Sequence, residues 1–581
     1  NPGKYLLIKG CTISGTLSTM KIVGATGVST ELSFDDINKE LYLVVKGVRN
    51  AATITWTGKT DSNWNLAKTA NWDKEGYADI FVANDSVYLD GTATNRTVNL
   101  VDSLPVAYLD VNSNLPYTIG GTGVLTGNMS LRKAGTGALT INTRNNYTGK
   151  TIVEAGTLIM KYAPSATNNG GIGANNTVIG NFVVKDSAIV QVVTANESTD
   201  RSLTLSGTAG GLLNVTATLY WNGIISGTKL TKYGTGTLHI SNNNTTLNET
   251  VIKGGTIKID DGAAVPYGLG KKVTLMGGTL ETVNSTGAYL TSSHAIDVPA
   301  GYSGTVIAGA RCEYNGALTG DGTLNWSTDY IRCYINGNWS GFTGNINLNK
   351  NGANSTYEDK FIFNNSNGMP QATLSIASGV IMCYKNGTAD NGTTTIKLGM
   401  LTGAGSFYNA GLEVGSTNTN GLFSGVISGA SNVKKVGTGL WILSGLNTHT
   451  GTNTISAGTL TLNAGATLGT GATTVASGAS MNLLGSIGGS LIVSNGGTVV
   501  NSGTISGSLN SSGTFKGTGT IAGISILSNN SSTLPGNIAI GTLTFGSNLS
   551  MTATAALEMQ ITATTCDKLA ITGAFTCNGT L

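Results

Sequence analysis

"KAGTGALTI", residues 133–141, returns twice, as "KYGTGTLHI" at 232–240 and "KVGTGLWIL" at 435–443. A Gly-x-Gly can open a nucleotide-binding loop, but that fingerprint needs a third glycine, a strand before, a helix after and a distant ribose-binding acid. Here Ala138, Leu139, Thr140 and Ile141 follow instead and alternate as a strand does. Each copy leads to a second glycine-led strand, "EAGTLIM", "KGGTIKI" or "SAGTLTL". The intervals Gly135 to Gly156, Gly234 to Gly255 and Gly437 to Gly458 are all 21 residues. Between the strands lie Asn/Thr-rich connectors with turn chemistry, such as "NTRNNYTG" and "SGLNTHTG".

Within these strands Leu139 and Ile141, Leu238 and Ile240, and Trp441 and Leu443 fall on one face, as do Leu158 and Met160, Ile257 and Ile259, and Leu460 and Leu462. A recurring unit of short strands and glycine corners without a helix predicts an all-β fold, a right-handed parallel β-helix whose stacked coils share one core. The Gly-Thr-Gly is then a corner, where glycine permits positive φ or close backbone approach. Looser copies at 120–127, 320–326 and 517–523 extend the pattern. The strong units are 99 and 203 residues apart, so the coils vary in length or carry insertions.

The composition agrees. The chain has 581 residues with 83 glycines and 8 prolines, and only 11% are charged, so its surface is built largely from Thr, Ser, Asn and Gly. A net charge of +3 without basic clusters argues against nucleic acid, and Lys434-Lys435 reads as a solvated corner. No secretory signal pattern opens the sequence, and no stretch has the length of a membrane-spanning helix. Six cysteines without a CxxC or Cys/His cluster predict neither zinc nor any other metal or cofactor, and leave the redox compartment open.

The three units, above all "GTGTLHISNNNTTLNETVIKGGTIKI" at 234–259, resemble the autotransporter-associated β-strand repeat of secreted and surface passengers of Gram-negative bacteria. The tract "TWTGKTDSNWNLAKTANWD", 55–73, is similar to the segment that opens such modules, and "LPGNIAIGTLTFGSNLSMTATAALEMQI", 534–561, to the one that closes them. The resemblance implies capping modules around the β-helix: 1–49 as the end of a preceding closing module, 50–130 as a Trp-rich opening segment with the first coils, 131–529 as β-helix repeats, and 530–581 as the start of a closing module. The chain then reads as cut from a longer one. Neither a translocator barrel nor a sorting domain is recognised in it.

Candidate sites follow from chemistry. Trp56, Trp64 and Trp72 recur every 8 residues and either form a sugar platform or, the favoured reading, cap an open β-helix end. In "ARCEYNGALTGDGTLNWSTDYIRCYINGNW", 310–339, Arg311 and Arg332 are 21 residues apart, as are Cys312 and Cys333. With Glu313, Trp326, Tyr330, Tyr334 and Trp339 they make either a glycan-binding face or, preferred, a surface ladder with local ion pairs. Cys312 and Cys333, on adjacent coils, suit either a disulfide or a ladder of buried free thiols. His239, His294 and His449 show no triad or metal spacing, and Asp260-Asp261 reads as a turn, so no catalytic residue is assigned. From Val436 to Phe515 there is no charged residue at all. Ser86, Ser103 and Ser187 follow Asp in triplets that resemble the O-glycosylation signal of exported Bacteroidetes proteins.

The sequence therefore predicts an elongated, non-catalytic structural or adhesive β-helix on the outer-membrane surface or outside a Gram-negative cell. The alternatives are a carbohydrate-binding surface and a glycan-cleaving lyase or hydrolase. Expected partners are glycans, copies of the chain or neighbouring modules, and outer-membrane export machinery, with no nucleic acid and no transmembrane segment.

Overall fold

Alternating apolar residues turn one face of each short strand inward, and the glycine corners bring the chain back to lay the next strand beside the last. In the computed structural model this repeats along the chain. The structure describes residues 3–10, 12, 14, 16–17, 20–23, 25–241, 246–260, 269–283, 290–309, 311–328, 332–350, 359–384 and 394–578. Among the described residues there is no α-helix. The chain forms two compact units, Asn1–Asp260 with Tyr267–Val273, and Asp261–Pro266 with Thr274–Leu581.

The first unit opens with three antiparallel strands, Gly3–Lys9, Val28–Asp35 and Glu40–Val48, the last of them central. From Thr53 onward, parallel pairing takes over. Tyr117, Leu139, Leu158, Val190 and Leu213 stand one above another in register, all buried. Beside them Ile119, Ile141, Met160, Val192 and Val215 form a second inward ladder. Each such aliphatic side chain contributes roughly 1.5–3 kcal/mol by leaving water. The second unit repeats the scheme with Trp441, Leu460, Met481, Val499 and Phe515 on one wall, and Leu468, Ile487, Ile505, Ile521 and Phe545 on another. The predicted parallel β-solenoid is thus observed in both units.

The three early tryptophans lie in the interior of the first coil. Trp56 and Trp64 each meet Trp72 edge to face at 5.0 Å, and Trp64 meets Phe81 at 5.4 Å. None is more than 1% exposed, so the cluster fills the core where the stack begins and offers no sugar platform. A hairpin, Trp72–Lys74 with Tyr77–Asp79, pairs antiparallel against the Thr53–Trp56 strand.

One buried ion cluster ties the antiparallel sheet to this coil. Arg49 donates Nε to Asp79 Oδ2 at 2.8 Å, and Nη1 and Nη2 to the two oxygens of Asp85 at 2.7 and 2.8 Å. Its remaining two donors reach the Asn50 and Ile80 carbonyls, so the five N–H groups of the guanidinium are all used. Asp85 also accepts the Ala52 and Val82 amides, and Asp79 the Gly27 and Ile80 amides. Replacing Arg49 by Met strands two buried carboxylates, a change worth roughly 3–5 kcal/mol. Limited proteolysis of Arg49→Met should release fragments within residues 1–48 while the coils from Thr53 onward stay resistant.

Candidate functional site

The residues between 310 and 339 are sorted by strand alternation. Cys312–Tyr314 runs parallel to Arg332–Ile335, with Cys312 beside Cys333, Glu313 beside Tyr334 and Tyr314 beside Ile335. Inward point Cys312, Cys333 and Tyr314, none more than 2% exposed. Half-buried on the outer side are Glu313, Arg332 and Tyr334, and Arg332 lies 5.5 Å over the Tyr334 ring. Arg311 is also half-buried, just before the first strand. Tyr330 and its neighbour Asp329 lie outside the described residues, as does Asp261.

The tryptophans do not join that outer strip. On Thr323–Thr328 the inward positions are Leu324, Trp326 and Thr328. Trp326 is fully buried, edge to face with Tyr314 at 4.4 Å and 5.1 Å from Trp339, which in turn meets Phe363 at 5.6 Å. The sequence expectation placed Trp326 and Trp339 on a stacking surface. The alternation that makes Leu324 a core residue makes Trp326 one too, so the reading is corrected to an outer strip of Glu313, Arg332 and Tyr334. The two adjacent cysteines are free thiols. Burial, and then the neighbouring Cys312, push the Cys333 thiol well above its ordinary value and keep it protonated. Of the seryl triplets, Ser103 and Ser187 are exposed, whereas Ser86 is half-buried beside the Arg49-bound Asp85.

Sequence reasoning passed over the lysine that opens each repeat. Lys133, Lys232 and Lys435 occupy inward ladder positions between aliphatic neighbours: Val111 and Val153, Leu213 and Ile252, Val414 and Ile455. All three are at most 1% exposed. Lys133 Nζ donates to the carbonyls of Ala134, Gly135 and Ala155 at 2.8, 2.8 and 3.0 Å. Lys232 Nζ reaches Gly234, Gly236 and Gly254 at 2.8, 2.6 and 2.7 Å, and Lys435 Nζ reaches Val436, Gly437 and Ala457 at 2.7, 2.9 and 3.3 Å. Each ammonium spends its three donors on corner carbonyls of its own coil and the next. Burial pushes all three down to about 8, which leaves them charged at neutral pH.

The repeat glycines make room for that cage. Gly135, Gly156, Gly234, Gly255, Gly437 and Gly458 all have φ between 59° and 82°. A Cβ on Gly156 would stand 2.9 Å from Lys133 Nζ, and one on Gly255 would stand 2.3 Å from Lys232 Nζ. The 21-residue glycine interval is therefore one turn around the ammonium. Lys434-Lys435, read from the sequence as a solvated corner, splits in two. Lys434 is exposed and pairs with Glu413 at 3.0 Å, while the next residue along the strand must face the core. The signal was available, since a lysine stands two residues before each repeat's first glycine. The histidines are dispersed: His239 is half-buried on an outer position, His294 bonds Ser292, and buried His449 bonds Asn453.

Residues 131–160, 230–259 and 433–462 match the passenger-associated-transport-repeat, each match holding one lysine cage and its glycines. The chain is 27% identical over 416 residues to the adhesin BmaC autotransporter of Brucella suis biovar 1 (strain 1330). That likeness takes in 64% of this chain, which spans only 11% of the adhesin. No solved structure matches. The resemblance read from the three repeats is the one these comparisons find.

Two measurements probe the interior. Lys133→Met or Lys435→Met leaves corner carbonyls unpaired and should cost roughly 1–3 kcal/mol each in denaturant unfolding. The folded lysines sit near 8 and unfolded ones at about 10.4. Between those values the unfolded chain binds more protons, so stability should rise with pH across that window, less steeply in each Met variant. For the thiols, peptide mapping after alkylation should show Cys566 and Cys577 labelled in the native protein, and Cys312, Cys333 and Cys383 only after unfolding without reductant. Failure of Cys312 and Cys333 to label even then would reveal a bridge.

Proposed function

We propose that this chain is a stretch of a non-catalytic β-solenoid passenger, a stalk or adhesin displayed on the outer-membrane surface of a Gram-negative bacterium after passing outer-membrane export machinery. The observation that carries the reading is the lysine-caged coil, present three times, each time within a match to the passenger-associated-transport-repeat. The likeness to an adhesin autotransporter supports the same address. Physically, the fold suits display. Coils add one at a time with their inward residues stacked in ladders, and ladders, backbone bonds and buried cations such as the caged lysines hold them together.

A carbohydrate-binding role has one specific support, the outward strip of Arg332 stacked on Tyr334 beside Glu313. An arginine with an aromatic face is a common means of holding a sugar. If the strip binds glycan, Arg332→Ala should abolish retention on a glycan array while leaving the melting temperature unchanged.

For the main reading, antibodies raised against this chain should label intact cells of the source bacterium, and external protease should strip the signal without permeabilisation. A signal that appears only after the outer membrane is opened would overturn it.

A further inference from the structure

The second unit carries an uncharged face that runs over several successive coils. From Val436 to Leu557 the only charged residue is Lys516. It stands on the strand Thr514–Gly517, in register with Val500, on a different wall from the face in question. That face is the outer side of five successive pairings in which Thr454, Thr474, Ile492, Asn510, Ile526 and Ser550 form one column. At ~4.8 Å per coil the column runs about 24 Å. Ile492 and Ile526 are each 40% exposed and Ile524 56%. Next to the column, Ser508 Oγ donates to Ser490 Oγ at 2.9 Å across two successive coils. The column begins where ion pairing ends, directly after Lys434 and Glu413.

We propose that this face is a self-association surface that takes a second copy of the same chain, related by a two-fold axis through Asn510. The chemistry selects that occupant. An isologous contact sets each surface group near its own symmetry mate or that of a neighbour, so a lysine or carboxylate column meets its own charge. Hydroxyls and carboxamides are donors and acceptors at once and can meet themselves. With the axis at Asn510, its carboxamide pairs with Asn510 of the second copy, Ile492 packs on Ile526, and Thr474 meets Ser550. No ion loses its hydration in that contact, and the exposed isoleucines leave water. A charged partner would find nothing on this face to neutralise it.

The inference adds a partner to the surface-passenger reading but is tested on purified protein, so either can fail alone. In a Cys11→Ser, Cys566→Ser, Cys577→Ser background, sedimentation velocity should show a concentration-dependent dimer. Ile492→Lys with Ile526→Lys should weaken it about tenfold or more through like-charge approach. Under mild oxidation Asn510→Cys should form a disulfide-linked dimer, whereas Ser480→Cys, on another wall, should not. If the lysine variant loses its β-sheet circular dichroism, the Asn510→Cys comparison carries the test. A chain that is monomeric at every concentration, or that crosslinks equally at positions 480 and 510, overturns the proposal.

Discussion

A coil that turns through glycine leaves carbonyls at the corner that no strand ladder can take up, and in a stacked solenoid that corner is dry. The ammonium of Lys133, Lys232 or Lys435 gathers three of these carbonyls, drawn from two successive coils, into one charge-assisted cluster. Much of the repeat follows from this contact. The glycines are where they are because a Cβ would occupy the ammonium's place or strain a positive φ. The strands after them start in register because the same cation holds both ends of the turn. Arg201 extends the principle in the first unit. Fully buried, it donates to the Ile172 and Ala174 carbonyls at 2.8 and 2.9 Å and so pins the long excursion between two coils.

The architecture was legible wherever alternation was regular. Leu139 with Ile141 and Leu460 with Leu462 face inward as their spacing demands, and the 21-residue interval marks a real turn. What misled was residue character set against strand parity. Lysine suggests solvent and tryptophan beside arginine suggests a ligand, yet Lys435 and Trp326 both hold parity positions that face the core. In a strand, parity decides first and chemistry then has to be satisfied in place, by a carbonyl cage for the lysine and by Tyr314 and Trp339 for the tryptophan. The Arg49 cluster could not have been read at all, because Asp79 and Asp85 come together with Arg49 only through a hairpin and a coil.

The two units manage their surfaces differently. In the first, Asp110, Arg132, Glu154 and Lys185 form an outward ladder of alternating charge, Arg132 bridging Asp110 and Glu154 while Lys185 takes the other oxygen of Glu154. These pairs are largely half-buried, Asp110 being only 7% exposed. In the second unit, from Val436 onward, one outward column is of hydroxyls, Thr459, Ser480, Thr498, Thr514 and Ser532, with isoleucines exposed nearby.

Register explains why a cation is kept in the core at all. A ladder of valine, leucine and isoleucine is nearly indifferent to a slip of two residues, since one aliphatic side chain replaces another on the same face. An ammonium that must meet three carbonyls tolerates no such slip, because it would be buried without partners. Coils between the lysine units vary, Leu324 to Ile346 spanning 22 residues and Ile346 to Leu374 spanning 28. With loops that variable, length alone cannot set alignment. A caged lysine once in several coils can, at the cost of burying one charge. The repeat motif is therefore sparse where the fold is continuous: stacking needs only parity, and the motif records the places where register is locked.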